Sequence, residues 1–286
     1  MVREGNHLKK LYGVIGDPIA HSMSPAMHND LFAFYGVDAE MFAFHIKGSN
    51  LEDAVKGFKA INLSGFNVTI PHKSAIMPLL DEIDPLAAAI GAVNTVVNKD
   101  GKLIGYNTDG TGYFAGIKQV VADVEGKTVL LVGAGGAAKA IYYTMAYEGV
   151  KRIDIANRTP QSAENLIQHC PYKTDSEVMV ISEAKEDFSE YDIIIQTTSV
   201  GMHPKVDQVP IQLKNLKEGT LVSDIIYTPL ETMFLSKARE QGASTQNGIP
   251  MFIYQGALAF EKWTGIFPDA KRMEAVVLKQ LGGKKC

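Results

Sequence analysis

Short apolar runs alternate along the chain with stretches whose apolar positions recur at helical spacing. The first run, residues 11–15, stops at Gly16-Asp17-Pro18. Pro25 then opens a helical pattern to about residue 35; proline suits a first helical turn because its missing N–H has no partner to lose there. Residues 41–46 predict a strand, 51–61 a helix, and 65–70 a third strand with a helix after it to about 79. Residues 91–97 and 102–105 read as a hairpin turning at Asn98-Lys99-Asp100-Gly101, where Asp-Gly is a strong turn signal. Farther on come a helix over 112 to about 124, a strand over 128–132, a helix to about 148 and a strand over 152–156. Residues 191–196 and 221–225 predict two more strands, and 250–263 and 271–281 two closing helices. Strands separated by helices imply an α/β fold with mostly parallel sheets and helices on their faces.

Length and composition narrow this. At 286 residues the chain exceeds the usual size of a single core, so two domains are expected. The boundaries fall at 1–111 and 112–246, with 247–286 as a helical tail. A net charge of −4, with no basic stretch interleaved with aromatics, argues against a nucleic-acid partner. No apolar run reaches the roughly 18 residues a membrane helix needs. The first residues carry charge and no apolar segment of a signal peptide. Cys170 and Cys286 make no disulfide framework, which fits a reducing cytoplasm. Lys284-Lys285-Cys286 reads as a solvated tail. The histidines, among them His21, His28 and His72, lack metal-ligand spacing, so no metal is expected.

The strand over 128–132 is apolar throughout, as in a strand buried on both faces, and runs straight into Gly133-Ala134-Gly135-Gly136-Ala137-Ala138. Gly133, Gly135 and Ala138 match the dinucleotide fingerprint. The first glycine makes the tight turn and the second admits a pyrophosphate to the backbone. The third small residue lets helix and strand pack. The helix N-terminus behind the loop offers free N–H groups to the phosphates. In an NAD site an acid about 20 residues on binds the ribose. Here the next strand ends in Asn157-Arg158-Thr159, and Asp154 lies too early, inside the strand. Arg158 matches a 2′-phosphate in charge and forked geometry, which favours NADP.

Ligands of open α/β sheets bind beyond the carboxyl ends of the strands. In the first half those ends are polar: Ser22 and Ser24; Asn67, Thr69 and Lys73; Asn94-Thr95; Asn107-Thr108-Asp109. Hydroxyls, amides, one ammonium and one carboxylate suit a small polyhydroxylated acid. Hydride reaching a carbonyl carbon leaves an alkoxide that must take a proton, and Lys73 with Asp109 can handle that proton.

The segments HSMSP, NVTIPHK, GAVNT, NTDGTG, GAGGA, NRT and GIPMFIYQGA follow one another in the order and rough spacing of the shikimate dehydrogenases, and the chain resembles that family from Leu11 to about Trp263. The resemblance implies a substrate domain, a Rossmann-type NADP domain, and NADPH-dependent reduction of 3-dehydroshikimate to shikimate, a step toward the aromatic amino acids. It implies that Ser22 and Ser24 bind the substrate carboxylate, and that Asn67, Thr69, Asn94 and Gln255 bind its hydroxyls. Lys73 and Asp109 would be the catalytic pair, and Tyr227 would lie near the substrate. Gly133, Ala134, Gly135, Gly136 and Ala137, with Asn157, Arg158 and Thr159, would hold the cofactor; Ile225 and Gly248 would lie near its nicotinamide. Gln255 must reach the substrate, so the closing helices would pack back on the first domain. The partners would be small molecules only, and the protein a monomer or a homodimer.

The chain departs from many NADP-using members in one respect. They carry a second basic residue shortly after Asn-Arg-Thr, whereas Pro160, Gln161 and Ser162 follow here. Arg158 would hold the 2′-phosphate largely alone, with Thr159 or Ser162 as the nearest help. A quinate/shikimate dehydrogenase using NAD therefore stays open, as does a non-catalytic NADP- or shikimate-binding regulator on the same fold.

Overall fold

The protein is described by a computed structural model covering residues 8–183 and 187–283. The charged N-terminal residues before position 8 and the Lys284-Lys285-Cys286 tail lie outside the described residues. The chain divides into two compact units, one of Met1–Thr108 with Gly256–Cys286 and one of Asp109–Gln255.

In the first unit, β1 (Lys10–Gly16) lies between β2 (Ala39–His45) and β3 (Gly65–Val68), parallel to both. Beyond β3 the sheet continues through β5 (Thr95–Lys99) and β6 (Lys102–Tyr106) to β4 (Glu82–Ile83), giving the order β2-β1-β3-β5-β6-β4. β5 is antiparallel to both neighbours, and the Asp100-Gly101 turn folds β6 back on it. Both turn residues take positive φ, 54° and 87°, as a tight hairpin turn requires. Helix α1 (Ser24–Phe34) begins at Ser24-Pro25, and α2 (Leu51–Ala60) buries Leu51, Val55 and Phe58 on one stripe. That stripe packs with Ile15, Phe66 and Val68 on one face of the sheet.

The segment after β3 does not form the helix predicted to residue 79. It runs through turns into a single 3-10 turn, Met77–Leu79. Pro71 and Pro78 lack the N–H groups that a continuous helix would use, so the bonds there are mostly short: Met77 N to Ser74 O, Leu79 N to Ile76 O. A short helix that the periodicity did not reveal, α3 (Pro85–Ile90), follows. Asp84 caps it by accepting from the Leu86 and Ala87 amides, Pro85 opens it, and Gly91 closes it at φ 74°.

In the second unit, α4 (Asp109–Ile117) starts three residues before the expected position, with Asp109 in its first turn, and ends well short of residue 124. The sheet is parallel throughout, in the order β12-β11-β10-β7-β8-β9. Its strands are β7 (Thr128–Val132), β8 (Arg152–Asn157), β9 (Val178–Val180), β10 (Ile193–Gln196), β11 (Leu221–Asp224) and β12 (Ser244–Gln246). The chain crosses from one half of this sheet to the other between β7 and β10, the place where such sheets bind ligands. Helices α5 (Gly136–Tyr147), α6 (Pro160–Gln168) and α7 (Met233–Glu240) connect the strands, and β7 and β10 are almost wholly buried. Tyr142 and Tyr143 of α5 both lie in the core; the Tyr142 hydroxyl meets Ser176 Oγ at 2.6 Å, and Tyr143 donates to the Leu166 carbonyl. The division between units falls inside α8 (Ile249–Thr264), and α9 (Ala270–Gly283) closes the first unit.

Glycines on α4 set its packing. A Cβ on Gly110 would lie 2.3 Å from the Ala140 carbonyl oxygen of α5, and one on Gly112 would lie 2.4 Å from the Gln255 amide of α8. Both backbones come closer than any side chain allows. In the first unit Gly65 serves the same end: it leaves room for Trp263, whose indole N–H donates to the Val96 carbonyl at 3.0 Å.

The other face of the first sheet carries an aromatic cluster. His28 is fully buried there, 5.1 Å from Trp263 and stacked on Phe260 at 6.1 Å between ring centres. Neither ring nitrogen has a hydrogen-bond partner. Burial therefore penalises the charged form and pulls the imidazole pKa from its ordinary value down to about 3. A base with a lowered folded pKa binds its proton in the unfolded chain first. Its stability contribution is intact above pH ~6.5 and is lost as pH falls from there toward about 3. Comparing wild type with His28→Leu by urea unfolding, we expect the stability difference to shift toward the variant by about 2 kcal/mol between pH 8 and pH 5. A pH-independent difference would show that His28 is not held neutral.

Candidate active site

The polar strand ends of the first unit form one hydrogen-bonded patch. Asn94 is buried just before β5. Its Oδ1 accepts from the Thr108 amide at 2.7 Å and from the Thr108 and Thr95 hydroxyls at 3.1 Å each. Asn67, on β3, donates through Nδ2 to the Asn94 carbonyl at 3.3 Å and to Thr95 Oγ1 at 3.2 Å. A carbonyl can only accept, so the amide nitrogen must face it and Asn67 Oδ1 turns away. That oxygen is buried and has no partner within the protein. Buried acceptors are normally satisfied, so this one is suited to a donor brought by a ligand. Asn107 extends the patch, donating to the Ala92 carbonyl.

Thr69 continues this strand end. Its methyl lies so close to Gly16 that a Cβ there would be 2.6 Å away. Ser22 and Ser24 sit at the start of α1, tied by a 3.3 Å bond from the Ser24 amide to the Ser22 hydroxyl. Lys73 is half-buried, and its carbonyl accepts from the Val93 amide, pinning it beside the segment that leads to Asn94. Its neighbour His72 is buried with Nε2 2.6 Å from the Ile46 carbonyl, a packing role rather than a base. His21 is exposed. Among the described residues no three His, Cys, Asp or Glu side chains gather as a metal site.

In the second unit the glycine loop occupies the end of β7. Gly133 takes φ 113°, and a Cβ there would meet Thr197 Oγ1 at 2.6 Å. This glycine is demanded by the fold. Gly135 and Gly136 differ, because a Cβ on either would meet nothing within 4 Å. The protein leaves open space over these two backbones at the N-terminus of α5, where no side chain caps the helix and no acid stands in the first turn. Free N–H groups, a positive dipole end and an uncovered backbone are what a pyrophosphate fits. Ala137 lies half-buried behind them, and Ala134 and both glycines line a cavity of about 340 Å³.

β8 ends as the sequence suggested. Asp154 is buried within the strand, bound to Arg152 at 2.8 Å and to the Tyr191 hydroxyl at 2.9 Å, so it is spent on the fold. At the strand end Asn157 donates to the Thr159 carbonyl, and Arg158 is exposed. Thr159 stands at the N-cap of α6 without making a side-chain cap bond, leaving that helix end open as well.

A second cavity of the same unit, about 320 Å³, lies at the ends of β10 and β11 and is lined by Thr197, Ile225 and Tyr227, among others. Gly248 comes so near that a Cβ on it would be 2.0 Å from the Ile225 carbonyl oxygen, and its amide donates to Ile226 O. Tyr227 packs on Phe252 at 5.5 Å, and burial raises its hydroxyl pKa. Asp224 supports this corner from below. It accepts from the Ile226 amide at 2.9 Å and the Thr232 hydroxyl at 2.8 Å, and burial pushes its carboxyl up to about 6. Gln255 donates to the Phe252 carbonyl within α8, with its backbone against Gly112 of α4.

Sequence reasoning passed over Thr197 and Met202, which line the second cavity. The signal was available for Thr197: Thr197-Thr198-Ser199 follows the apolar run of β10, as the other polar strand ends follow theirs. Met202 carried none, being brought in by the loop.

Family models match the chain in three stretches: one described as the shikimate dehydrogenase substrate binding domain over residues 14–96, one as shikimate / quinate 5-dehydrogenase over 116–227, and one as the shikimate 5′-dehydrogenase C-terminal domain over 248–278. A protein of Bacillus cereus (strain AH187) named shikimate dehydrogenase (NADP(+)) is 57% identical over 277 residues, 96% of this chain and 100% of its own. A crystal structure of a shikimate dehydrogenase in complex with NADP+ superposes with TM-score 0.88 at 40% identity, covering 95% of this chain and 96% of that one. The shikimate 5-dehydrogenase of Listeria monocytogenes, solved with shikimate and NAD, has TM-score 0.88 at 38% identity, covering 97% and 99%.

The two kinds of glycine should separate in experiment. Gly135→Ala should keep the thermal midpoint of wild type, since its φ of −85° suits alanine and its Cβ meets no protein atom, while nucleotide affinity measured by calorimetry drops at least tenfold. Gly133→Ala should lose stability itself, by roughly 1–3 kcal/mol for the positive φ before the clash is counted. Equal affinity for nucleotide in Gly135→Ala and wild type would show that the open space is not where a phosphate sits.

Proposed function

The chain belongs to the shikimate dehydrogenase family, and on that premise we propose that it reduces 3-dehydroshikimate to shikimate reversibly, with NADPH as the reductant. The observation that carries the reading is the buried amide and hydroxyl patch of Asn67, Thr95, Asn94 and Thr108, whose one unpartnered acceptor suits a substrate hydroxyl.

In this reading the first unit is the substrate domain and the second the NADP domain. Ser22 and Ser24 hold the substrate carboxylate, and Asn67, Thr69, Asn94 and Gln255 hold its hydroxyls. Tyr227 lies against the substrate. Gly133 to Ala137 bind the pyrophosphate, Asn157, Arg158 and Thr159 the adenosine 2′-phosphate, and Ile225 and Gly248 the nicotinamide. The bound cofactor supplies a hydride to the carbonyl carbon. Lys73 polarises the carbonyl oxygen through its ammonium and delivers the proton that the alkoxide needs; Asp109 is the carboxylate of the catalytic pair. In the direction of shikimate oxidation the same amine takes the proton back. The protein works on soluble small molecules in the cytoplasm, as a monomer or a homodimer; among the described residues no helix is long and apolar enough to cross a membrane.

The test is the absorbance of reduced nicotinamide with shikimate or quinate as substrate and NADP+ or NAD+ as oxidant. Shikimate with NADP+ should be the fastest pair. Lys73→Ala should lower kcat by about 10²–10⁴-fold while shikimate still binds, the range a positioned proton donor contributes. Faster turnover with quinate and NAD+ would reassign both substrate and cofactor, and binding without turnover of any pair would make the protein a non-catalytic binder.

A further inference from the structure

Arg158 is exposed at the end of β8, and Thr159, Pro160, Gln161 and Ser162 directly after it bring no second cation. We propose that Lys139, on the helix behind the glycine loop, is the second cation of the 2′-phosphate site and sets the preference for NADP over NAD.

Lys139 stands on the first turns of α5, four residues beyond the N-cap Gly135. It lines the cavity of about 340 Å³ together with Ala134, Gly135, Gly136, Ser162 and Asn165. That cavity lies between the glycine loop and α6, the helix that β8 runs into, and is lined there by Ser162, Asn165 and Leu166 with His169 at the helix's far end. In dinucleotide folds the adenosine ribose sits at the end of this second strand, and its 2′ group is what the strand-end residue reads. Ser162, four residues beyond Arg158, is the lining residue nearest in sequence to that strand end.

The charge balance fits an anion. No Asp or Glu side chain lines the cavity, and Lys139 has no carboxylate partner among the described residues. Its ammonium lies 5.1 Å from the centre of the Tyr143 ring. Partial burial costs the ammonium hydration and lowers its pKa, a cost that a phosphate would offset. Ser162 adds a hydroxyl.

The inference rests on the NADP reading, and the experiment separates the two. Calorimetric titration with 2′,5′-ADP and with 5′-AMP isolates the 2′-phosphate without any turnover. Lys139→Gln should weaken 2′,5′-ADP by about 10- to 100-fold, the worth of one charge-assisted hydrogen bond, and leave 5′-AMP within about twofold. Lys139→Arg should retain the tighter binding. Lys139→Met, which keeps the aliphatic stem against Tyr143, should fold like wild type and match the glutamine variant, so that a packing role is read apart from a charge role. Placing a lysine across the cavity, Ser162→Lys in the Lys139→Gln background, should restore most of the loss. Unchanged 2′,5′-ADP affinity in Lys139→Gln, or equal losses for both nucleotides, overturns the proposal while the NADP reading stands. Wild type binding 2′,5′-ADP no more tightly than 5′-AMP would overturn both.

Discussion

A buried polar group must find a partner inside the protein or in what the protein binds, and the strand ends of the first unit are built around that constraint. One side chain, Asn94, joins three of them. Its Oδ1 collects donors from Thr95 and Thr108, and its carbonyl receives Asn67. Each bond is worth about 1 kcal/mol net, but leaving any of these groups unpaired would cost roughly 1–3 kcal/mol. The network is therefore rigid in the sense that matters for recognition: no member can turn without stranding another. Its single deficit is Asn67 Oδ1, a buried acceptor without a partner in the protein.

The second unit uses the absence of side chains instead of their presence. At Gly110, Gly112 and Gly248 the missing Cβ lets backbone meet backbone, fixing α4 against α5 and α8, and the Gly248 turn against Ile225. At Gly135 and Gly136 nothing protein-borne fills the gap. The same residue type thus builds the framework at one set of positions and leaves open space at another. Only the neighbours distinguish them.

What could be read from the sequence follows from how local each cause is. β7 matches its predicted limits, residues 128–132, because a wholly apolar strand between a turn and a glycine loop has little other choice. The hairpin at Asp100-Gly101 and the Arg158 corner were legible for the same reason. The helix expected before residue 79 failed because two prolines outweighed an apolar spacing, and α3 was missed although Asp84-Pro85 and Gly91 carry its start and stop. The polar residues of the first unit were legible as types at strand ends, whereas the bonds among Asn67, Asn94 and Thr108 depend on strand order. Lys139 was hidden for a similar reason. It stands on the helix before β8 while Ser162 comes after that strand, and only the packing of α5 beside α6 places the two on one cavity.

The bond from the indole of Trp263 to the Val96 carbonyl has a practical bearing. Trp263 is the chain's one tryptophan, and it lies in the core of the first unit. Tryptophan emission is accordingly an optical probe of that unit alone, while backbone dichroism averages over both. Two melting curves recorded on one sample would then measure how far the halves of the molecule unfold as a single cooperative body, with no label and no mutation introduced.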